Sequence, residues 1–181
     1  IEKCRAFMKI QEGCNNFCSF CIIPYTRGKL KSRKIEDIVE EAKRLVAYGY
    51  KEVVLTGIHL GNYGIELPER PTLGRVVREL LTIDGLERIR FGSIESVEVS
   101  EELIELMATN PRVCPNLHLP LQAGADPVLK AMNRHYNLQQ YKDLVKYLRS
   151  RIPNLSITTD IIAGFPGETD ELFEETMRTV K

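Results

Sequence analysis

The sequence lacks tryptophan, has no excess of either charge and contains no long apolar run. Its 25 Lys and Arg residues balance 25 Asp and Glu residues, which gives a formal net charge of zero. No global electrostatic field therefore draws the chain onto nucleic acid or a membrane, and such binding must come from local patches. No apolar stretch approaches the roughly 20 residues of a membrane-spanning helix. The opening residues also lack the basic-then-apolar layout of a signal peptide. We expect no membrane partner, and the sequence predicts no protein partner.

The cysteine content excludes a fully disulfide-paired domain, because five cysteines are an odd number. Three of them crowd into one segment, which suits a reducing compartment better than a secreted fold, so we expect a cytoplasmic location. The 43% hydrophobic and 28% charged content is ordinary for a globular domain. The chain starts without methionine and stops inside a helical pattern. We therefore expect it to be a piece of a longer protein.

Short β-rich runs alternate with helical patterns along the whole chain. The predicted strands cover residues 6–12, 52–57, 88–93, 116–121 and 155–164. The predicted helices cover apolar stripes at 35–46, ended by Gly49, at 73–81, after the cap Ser100, at 138–148, and after Thr169. For the last helix, the predicted buried side is Leu172, Phe173, Met177 and Val180.

Repeated β-then-α units predict an α/β fold with a mostly parallel sheet. About five units fit the chain, too few for a closed eight-stranded barrel. We expect an open, partial (β/α) barrel, truncated after about five units, with a doubly wound sheet as the alternative. In either architecture the chemistry lies at the carboxyl ends of the strands. Polar or glycine-rich segments follow all five strands there: EGCNNFCSFC, TGIHLGNYG, GSIES, PLQAGA and GFPGE.

The segment EGCNNFCSFC spaces Cys14, Cys18 and Cys21 as C-x3-C-x2-C, with no fourth cysteine close in sequence. Thiolates select soft metals such as zinc or the iron of sulfide clusters. A structural zinc site needs four protein ligands, so Cys4, a histidine or another chain would have to supply the fourth. In a [4Fe–4S] cluster, three cysteines leave one iron open to a substrate or cofactor. Three buried core thiols are the remaining alternative, and we expect that core role for Cys4 and Cys114.

The cysteine trio, with Phe20 before its last member, resembles the signature of the radical S-adenosylmethionine (SAM) superfamily. The resemblance implies that residues 1–181 form one radical SAM core domain. It further implies that Cys14, Cys18 and Cys21 hold a [4Fe–4S] cluster whose open iron binds S-adenosyl-L-methionine. The reduced cluster then cleaves this cofactor to a 5′-deoxyadenosyl radical. The cofactor performs the chemistry while the protein orients it.

Longer segments of the sequence narrow the resemblance to one family within this superfamily. The segments EGCNNFCSFCIIPYTRG, LTGIHLGNYG, NLHLPLQAGADPVLKAMNRHY and TDIIAGFPGET resemble the methylthiotransferases, and TGIH with GSIES is most similar to the tRNA N6-threonylcarbamoyladenosine (t6A) branch. This branch adds a methylthio group to C2 of the adenosine next to the anticodon. The isopentenyladenosine and ribosomal-protein branches are the alternatives. The implied partners are a tRNA anticodon loop and an electron donor.

The resemblance also indicates what the chain lacks. Full-length family members carry an amino-terminal domain with a second [4Fe–4S] cluster and a carboxy-terminal RNA-binding barrel. Neither is present in this sequence, so we do not expect the chain alone to complete methylthio transfer.

The resemblance implies a set of cofactor-binding residues and assigns no catalytic side chain. The implied set is Phe20, Thr56, Gly57, Ser93, Glu95, Gln122, Arg134, Gly164 and Gly167. Arg134 suits the cofactor carboxylate, because a planar guanidinium binds such groups in a bidentate way. His59 is a candidate for contact with the RNA base, and Asp160 for the pocket floor. His118 and His135 are expected to be structural.

A basic run follows the cysteines and contains Arg27, Lys29, Lys31 and Arg33. Such runs usually form a solvated face, but beside an active site for RNA we expect phosphate contacts. Modification of a base also requires unstacking it, for which Tyr25 and Tyr63 are candidate platforms. The alternative from another functional class is a zinc-stabilised RNA-binding module. It would use the same cysteines and the same basic run.

Overall fold

The computed structural model describes residues 4–181 and shows strands alternating with helices. The strands are β1 (Arg5–Lys9), β2 (Gln11–Glu12), β3 (Lys31–Ser32), β4 (Glu52–Thr56), β5 (Arg88–Phe91), β6 (Asn116–His118) and β7 (Ser156–Thr158). The helices are α1 (Ile23–Thr26), α2 (Ile35–Ala47), α3 (Leu73–Leu81), α4 (Glu101–Thr109), α5 (Asp126–Ala131), α6 (Leu138–Arg151) and α7 (Asp170–Val180). Within residues 4–181, none of the helices has the length and apolar character to cross a bilayer.

The parallel strands lie side by side in chain order. Strand β4 pairs with β1 on one side and β5 on the other, and β6 pairs with β7. A parallel bridge between Ser93 and His118, with a 3.0 Å bond from Ile94 N to His118 O, connects the two groups. In a doubly wound sheet, the order of the strands would instead reverse at a switch point. The sequential order confirms the α/β fold with an open, partial barrel.

The main core lies between the sheet and the helices that cover it. Met8 and Leu55, opposite each other in β1 and β4, are fully buried, as are Ile38 of α2 and Leu80 of α3. Burial of each such side chain contributes about 1.5–3 kcal/mol. The predicted apolar stripes of these helices are confirmed because alternate β/α units place one face of every helix on the sheet.

Local signals for helix ends are also confirmed. Ser100 caps α4 by accepting from Leu103 N at 3.3 Å, and Thr169 caps α7 by accepting from Leu172 N at 3.4 Å. Gly49 follows α2 with a φ of +92°, a conformation that glycine adopts without steric cost.

Several predicted strands are shorter than expected, including the run at 116–121, which is a strand only over Asn116–His118. The run at 6–12 divides into β1 and β2, and β2 turns away to pair antiparallel with β3, with Gln11 opposite Ser32. The run at 155–164 forms a strand only at β7, followed by a single bridge between Gln122 and Ile161. The short helices α1 and α5 were not predicted, because four to six residues carry too little periodicity.

The predicted buried face of α7 is wrong. Helix α7 packs through Thr176, which is fully buried and accepts a 3.0 Å bond from Gly124 N. Leu172 on the same side is partly buried, whereas the neighbouring stripe is exposed at Phe173, Met177 and Val180. The small Thr176 lets α7 approach the Gly124 backbone, which rotates the apolar stripe outward.

The core role expected for Cys114 is confirmed, since it is 6% exposed, but the same expectation for Cys4 is wrong. Cys4 is exposed because it precedes the first residue of β1 and therefore lies outside the packed sheet.

Candidate functional site at the carboxyl edge of the sheet

The three clustered cysteines lie on a loop that is closed at its base. Residues 13–30 connect β2 to β3, and the Cys14 N–H donates to Gly28 O at 3.1 Å across the base. Gly13 has a φ of +77°, and a Cβ there would lie 2.0 Å from Lys29 O. Only glycine permits this approach of the two loop ends. The antiparallel β2–β3 hairpin therefore defines where the cysteine loop begins and ends.

The loop is held on its other side by the segment after α5. Ser19 donates from its N–H to Met132 O at 3.1 Å and from its hydroxyl to Ala131 O at 2.9 Å. Asn133 donates through Nδ2 to Phe17 O at 3.0 Å. His135 lies with Nε2 3.3 Å from Asn16 O, in agreement with its expected structural role. These contacts join residues more than 100 positions apart and fix the loop against the barrel.

Cys14, Cys18 and Cys21 are all half-buried on this loop, and the Cys21 N–H donates to Cys18 O at 2.9 Å. Within residues 4–181, no three His, Cys, Asp or Glu side chains converge on a point that could hold one metal ion. This arrangement does not fit a preformed mononuclear zinc site, which needs its ligands around one ion. A cluster does not require this convergence on one ion, because its cysteines bind different irons.

Arg134 connects the cysteine loop to the end of β5. Its Nη1 donates to Cys18 Sγ at 3.2 Å, its Nη2 pairs with Glu95, and its side chain is 3% exposed. Burial raises the pKa of the Cys18 thiol, and the Arg134 guanidinium only partly offsets that rise. Burial would lower the pKa of Arg134, but the Glu95 carboxylate outweighs it and raises that pKa. The charged guanidinium beside Cys18 favours the thiolate form of that cysteine.

A second polar group approaches the loop from the segment after β4. His59 is 3% exposed and pairs through Nε2 with Glu98, whose side chain is 6% exposed. Burial alone would lower the pKa of His59, but its interactions with the Glu98 carboxylate and the nearby Cys14 raise that pKa to about 10. Burial alone would raise the pKa of the Cys14 thiol, but the nearby His59 and a hydrogen bond from Asn16 N outweigh burial and lower that pKa. The burial of His59 excludes the predicted contact with an RNA base.

Gln11 is a site residue that the sequence did not reveal. Its side chain is buried at 1% exposure, accepts from His59 N at 2.8 Å and donates to Gly13 O at 3.0 Å. Gly57 fits against it, since a Cβ at Gly57 would lie 2.8 Å from Gln11 Oε1. No pattern in the sequence singles it out, because Lys9 and Glu12 of the same predicted strand are also polar. Gly57, predicted to contact the cofactor, has packing against Gln11 as its observed role.

The other predicted cofactor residues lie along the same edge. Thr56 ends β4 and is half-buried, Ser93 is exposed beside His118, and Phe20 is 39% exposed on the loop. Gln122 has a φ of +71° and bonds through its backbone to Asp160 O and Ile162 N, both at 2.9 Å.

The glycine turn after β7 is open. Gly164 and Gly167 have φ values of +73° and +87°, and an added Cβ at either would meet nothing within 4 Å. Asp160 is exposed and bonds His118 Nε2 at 3.2 Å. The turn thus leaves room for a ligand to approach the backbone, while Asp160 and His118 occupy the outer margin.

The residues of the basic run differ in their exposure and in their bonds to the rest of the chain. Arg27, Lys29 and Lys31 are exposed. Arg33 instead pairs with Glu41 at 2.5 Å and donates to Lys9 O at 2.9 Å, so its predicted role in phosphate contact is weakened by these bonds.

The two tyrosines considered as stacking platforms have different environments. Tyr63 is 3% exposed and donates to Arg33 O at 2.5 Å, which excludes it as a platform. Tyr25 is 72% exposed and meets Phe17 edge-on with ring centroids 5.7 Å apart. An accessible aromatic pair therefore lies beside the exposed basic residues.

Comparison with known proteins places this arrangement among characterised relatives. The family profile of the radical SAM superfamily matches residues 8–180. The chain is 47% identical over 177 residues to the tRNA-2-methylthio-N(6)-dimethylallyladenosine synthase of Carboxydothermus hydrogenoformans, covering 98% of this chain and 40% of the relative. It is 45% identical over 181 residues to the threonylcarbamoyladenosine tRNA methylthiotransferase MtaB of Bacillus subtilis, covering 99% of this chain and 40% of the relative.

The fold has a counterpart of low sequence identity. The radical S-adenosylmethionine methyltransferase TsrM of Kitasatospora setae, solved with cobalamin and a [4Fe–4S] cluster bound, superposes with a TM-score of 0.75 at 19% identity. The superposition covers 96% of this chain and 34% of that protein. The chain spans about 40% of the length of the two tRNA-modifying relatives.

Proposed function

Because the chain belongs to the radical SAM superfamily, we propose that it is the cluster- and SAM-binding core domain of a tRNA methylthiotransferase. The observation that supports this most is the identity of 45–47% with two tRNA-modifying methylthio enzymes along nearly the whole chain. In this proposal residues 1–181 are one domain, and Cys14, Cys18 and Cys21 hold a [4Fe–4S] cluster. A cytoplasmic location follows from the substrate.

The bound cluster would supply the electron that cleaves S-adenosylmethionine to a 5′-deoxyadenosyl radical. The chain's own residues would bind and orient the cofactor. Arg134 and Glu95 offer one positive and one negative group next to Cys18, which match the carboxylate and ammonium of a methionine moiety. The open backbone at Gly164 and Gly167 suits an adenine approaching edge-on. Phe20, Thr56, Ser93 and Gln122 complete the proposed cofactor site.

The proposed substrate is N6-threonylcarbamoyladenosine beside the anticodon of a tRNA, modified at C2. The segments TGIH and GSIES support this branch, and the relative from Bacillus subtilis carries that activity in its name. Dimethylallyladenosine is the second candidate, favoured by the 47% identity to the enzyme from Carboxydothermus hydrogenoformans. The complete reaction is proposed for a longer protein with a second [4Fe–4S] cluster, an RNA-binding barrel and an external electron donor.

The first experiment is anaerobic reconstitution of the chain with iron and sulfide, followed by dithionite, S-adenosylmethionine and an assay for 5′-deoxyadenosine. About four irons per chain and release of 5′-deoxyadenosine are expected. Cys18→Ala should lose the iron, whereas Cys4→Ser, outside the loop, should keep it. Stoichiometric zinc without iron in the unmodified chain would support the zinc-stabilised RNA-binding module instead.

The substrate is tested in cells that lack the endogenous enzyme. The full-length protein is expressed there, and tRNA nucleosides are separated by liquid chromatography and mass spectrometry. Appearance of 2-methylthio-t6A supports the first candidate, and appearance of 2-methylthio-dimethylallyladenosine supports the second.

A further inference from the structure

Tyr136 is a buried tyrosine that contacts Arg134. It lies in the segment between α5 and α6, two residues after Arg134, and is 7% exposed. Its hydroxyl oxygen lies 2.9 Å from Pro120 O and 2.8 Å from Leu121 O, two backbone carbonyls of the segment after β6. A hydroxyl group has only one hydrogen to donate, and these carbonyls receive it. The lone pairs of the hydroxyl oxygen are therefore left to accept hydrogen bonds.

The Arg134 guanidinium supplies the donors that this hydroxyl accepts. Arg134 Nε lies 3.2 Å and Arg134 Nη2 lies 3.1 Å from the Tyr136 hydroxyl oxygen. Tyr136 thus holds the edge of the guanidinium that these two nitrogens form. The remaining nitrogen, Nη1, is the one that faces Cys18, at 3.2 Å from Sγ. Tyr136 and Glu95 together determine the direction in which the guanidinium points.

The backbone before this pair is fixed by the end of α5. Asn133 has a φ of +56°, and the Arg134 N–H donates to Leu129 O at 2.9 Å. Such left-handed residues commonly close the end of a helix. With its backbone fixed, Arg134 keeps only the freedom of its long side chain, and the ordering of such a side chain opposes ligand binding. The bonds to Tyr136 restrict that freedom before a ligand arrives.

A neighbouring tyrosine shows what a hydroxyl does here when it bonds only the backbone. Tyr141 on α6 is also 7% exposed, and its hydroxyl donates to Leu119 O at 2.7 Å. The rings of Tyr136 and Tyr141 lie 6.1 Å apart, centroid to centroid. Both hydroxyls therefore anchor carbonyls of the same segment after β6. Of the two, the hydroxyl that accepts from Arg134 is that of Tyr136.

We propose that Tyr136 is a positioning residue of the proposed cofactor site, which accepts from Arg134 and holds its guanidinium in the orientation that binds the carboxylate of S-adenosylmethionine. This inference rests on the proposed function. A guanidinium that is already oriented loses less conformational entropy when the carboxylate binds. The bond to Leu121 O also connects Arg134 to the segment that carries Gln122, another residue of the proposed cofactor site.

The test compares the cofactor affinity of Tyr136→Phe with that of the unmodified protein. Both are reconstituted anaerobically to matched iron content, and equilibrium dialysis with labelled S-adenosylmethionine gives the dissociation constants. Tyr141→Phe is the matched control, because it loses a buried hydroxyl and its bond to the same segment but keeps the contact between Tyr136 and Arg134. Thermal unfolding of each variant records the loss of stability that both substitutions share.

We expect Tyr136→Phe to weaken cofactor binding about tenfold, because hydrogen bonds to charged groups are among the stronger ones. Tyr141→Phe should leave the affinity unchanged. In an Arg134→Lys background, which lacks the planar guanidinium, Tyr136→Phe should have little further effect. Residues that act as a unit show this non-additivity, whereas a general loss of packing would add to the effect of Arg134→Lys.

A second measurement follows the arginine directly and requires no cluster. The Arg134 Nε–H gives a nitrogen-15 NMR signal, which is identified by its absence from Arg134→Lys. Its exchange with solvent should be slow in the unmodified chain, because the proton is buried and bonded to Tyr136. Tyr136→Phe should accelerate this exchange, and Tyr141→Phe should not. If Tyr136→Phe fails to hold a cluster, the exchange rates decide the inference, and rapid exchange in the unmodified chain would overturn it.

Equal cofactor affinities of Tyr136→Phe and the unmodified protein would reduce Tyr136 to a packing residue. An undiminished effect of Tyr136→Phe in the Arg134→Lys background would do the same. Both outcomes leave the proposed function intact. Absence of a cluster from the unmodified protein, or of cofactor binding to it, would instead refute the proposed function, so the two failures are distinguishable.

Discussion

Arg134 donates to Cys18 Sγ at 3.2 Å while its second terminal nitrogen pairs with the Glu95 carboxylate. One side chain thus contacts a cysteine of the proposed cluster and an acid at the end of the third parallel strand. The side chain is almost fully buried, so replacement of its partners by solvent is costly. A ligand with both a carboxylate and an ammonium could take over both charges of this pair.

Arg134→Lys should weaken S-adenosylmethionine binding to the reconstituted protein by about 10- to 100-fold, since hydrogen bonds to charged groups contribute about 1.5–3 kcal/mol. Lysine keeps the charge but cannot bind two groups in a planar, bidentate way. Equilibrium dialysis with labelled cofactor measures the change. Arg149→Lys, an exposed position on α6, is the matched control. Equal affinities in both variants would contradict a role of Arg134 in cofactor binding.

Gly13→Ala should destabilise the chain far more than Gly28→Ala, although both glycines have positive φ values, +77° and +72°. A Cβ at Gly13 would lie 2.0 Å from Lys29 O, whereas one at Gly28 would meet nothing within 4 Å. The backbone conformation alone costs about 1–2 kcal/mol in each, and the clash adds to it only at Gly13. Urea unfolding of the cluster-free variants provides the comparison. Similar free energies of unfolding would mean that the loop ends move apart readily.

Removal of the exposed basic residues by Arg27→Ala and Lys29→Ala should weaken binding of an anticodon stem-loop RNA to the full-length protein. It should also reduce the slope of log affinity against log salt by about 0.7 for each single-strand phosphate that the variant no longer neutralises. Lys146→Ala, exposed on α6, is the control and should change neither quantity. Fluorescence anisotropy at several salt concentrations gives both. An unchanged slope in the double variant would place RNA contact elsewhere.

Acid should destabilise the cluster-free chain through Glu52, which is 4% exposed and accepts from Arg88 Nε at 2.8 Å and Arg90 Nε at 2.9 Å. Burial would raise the pKa of Glu52, but the two arginines outweigh it and hold the pKa below its ordinary value of 4.5. The stabilisation is therefore present above pH 4.5 and is lost as the pH falls through the lowered pKa of the folded state.

Glu52→Gln should lower the free energy of unfolding at pH 7 by about 1–3 kcal/mol. It should also flatten the dependence of stability on pH below 4.5, the ordinary pKa of the carboxyl group. Urea unfolding at a series of pH values measures both effects. Glu105→Gln, at an exposed position on α4, is the control and should retain the dependence of the unmodified chain. A parallel pH profile in Glu52→Gln would show that other carboxylates cause the acid sensitivity.

The features that the sequence predicted correctly depend on short stretches. The helix cap at Ser100 can be predicted from the three residues that follow it. The apolar stripe of α3 can be predicted from the spacing of residues within that one helix. Strand order followed from the repeated β-then-α rhythm and the handedness of the crossovers.

The features that the sequence left undetermined depend on contacts between distant positions. Gln11 and His59 are 48 positions apart, and Cys18 and Arg134 are 116 apart. Their bonds depend on strand register and loop path, which no local pattern encodes. The orientation of α7 depended on Thr176 fitting the Gly124 backbone, a packing detail that hydrophobic spacing cannot resolve.

The closed base of the cysteine loop bears on how the chain would tolerate loss of the proposed cluster. Its bonds join Cys14 N to Gly28 O and Gln11 to Gly13 and His59, and none of them uses a cysteine sulfur. The base of the loop therefore does not depend on bonds to the proposed cluster. We therefore expect loss of the proposed cluster to leave the base of the loop folded, so that iron and sulfide can be restored without refolding the chain.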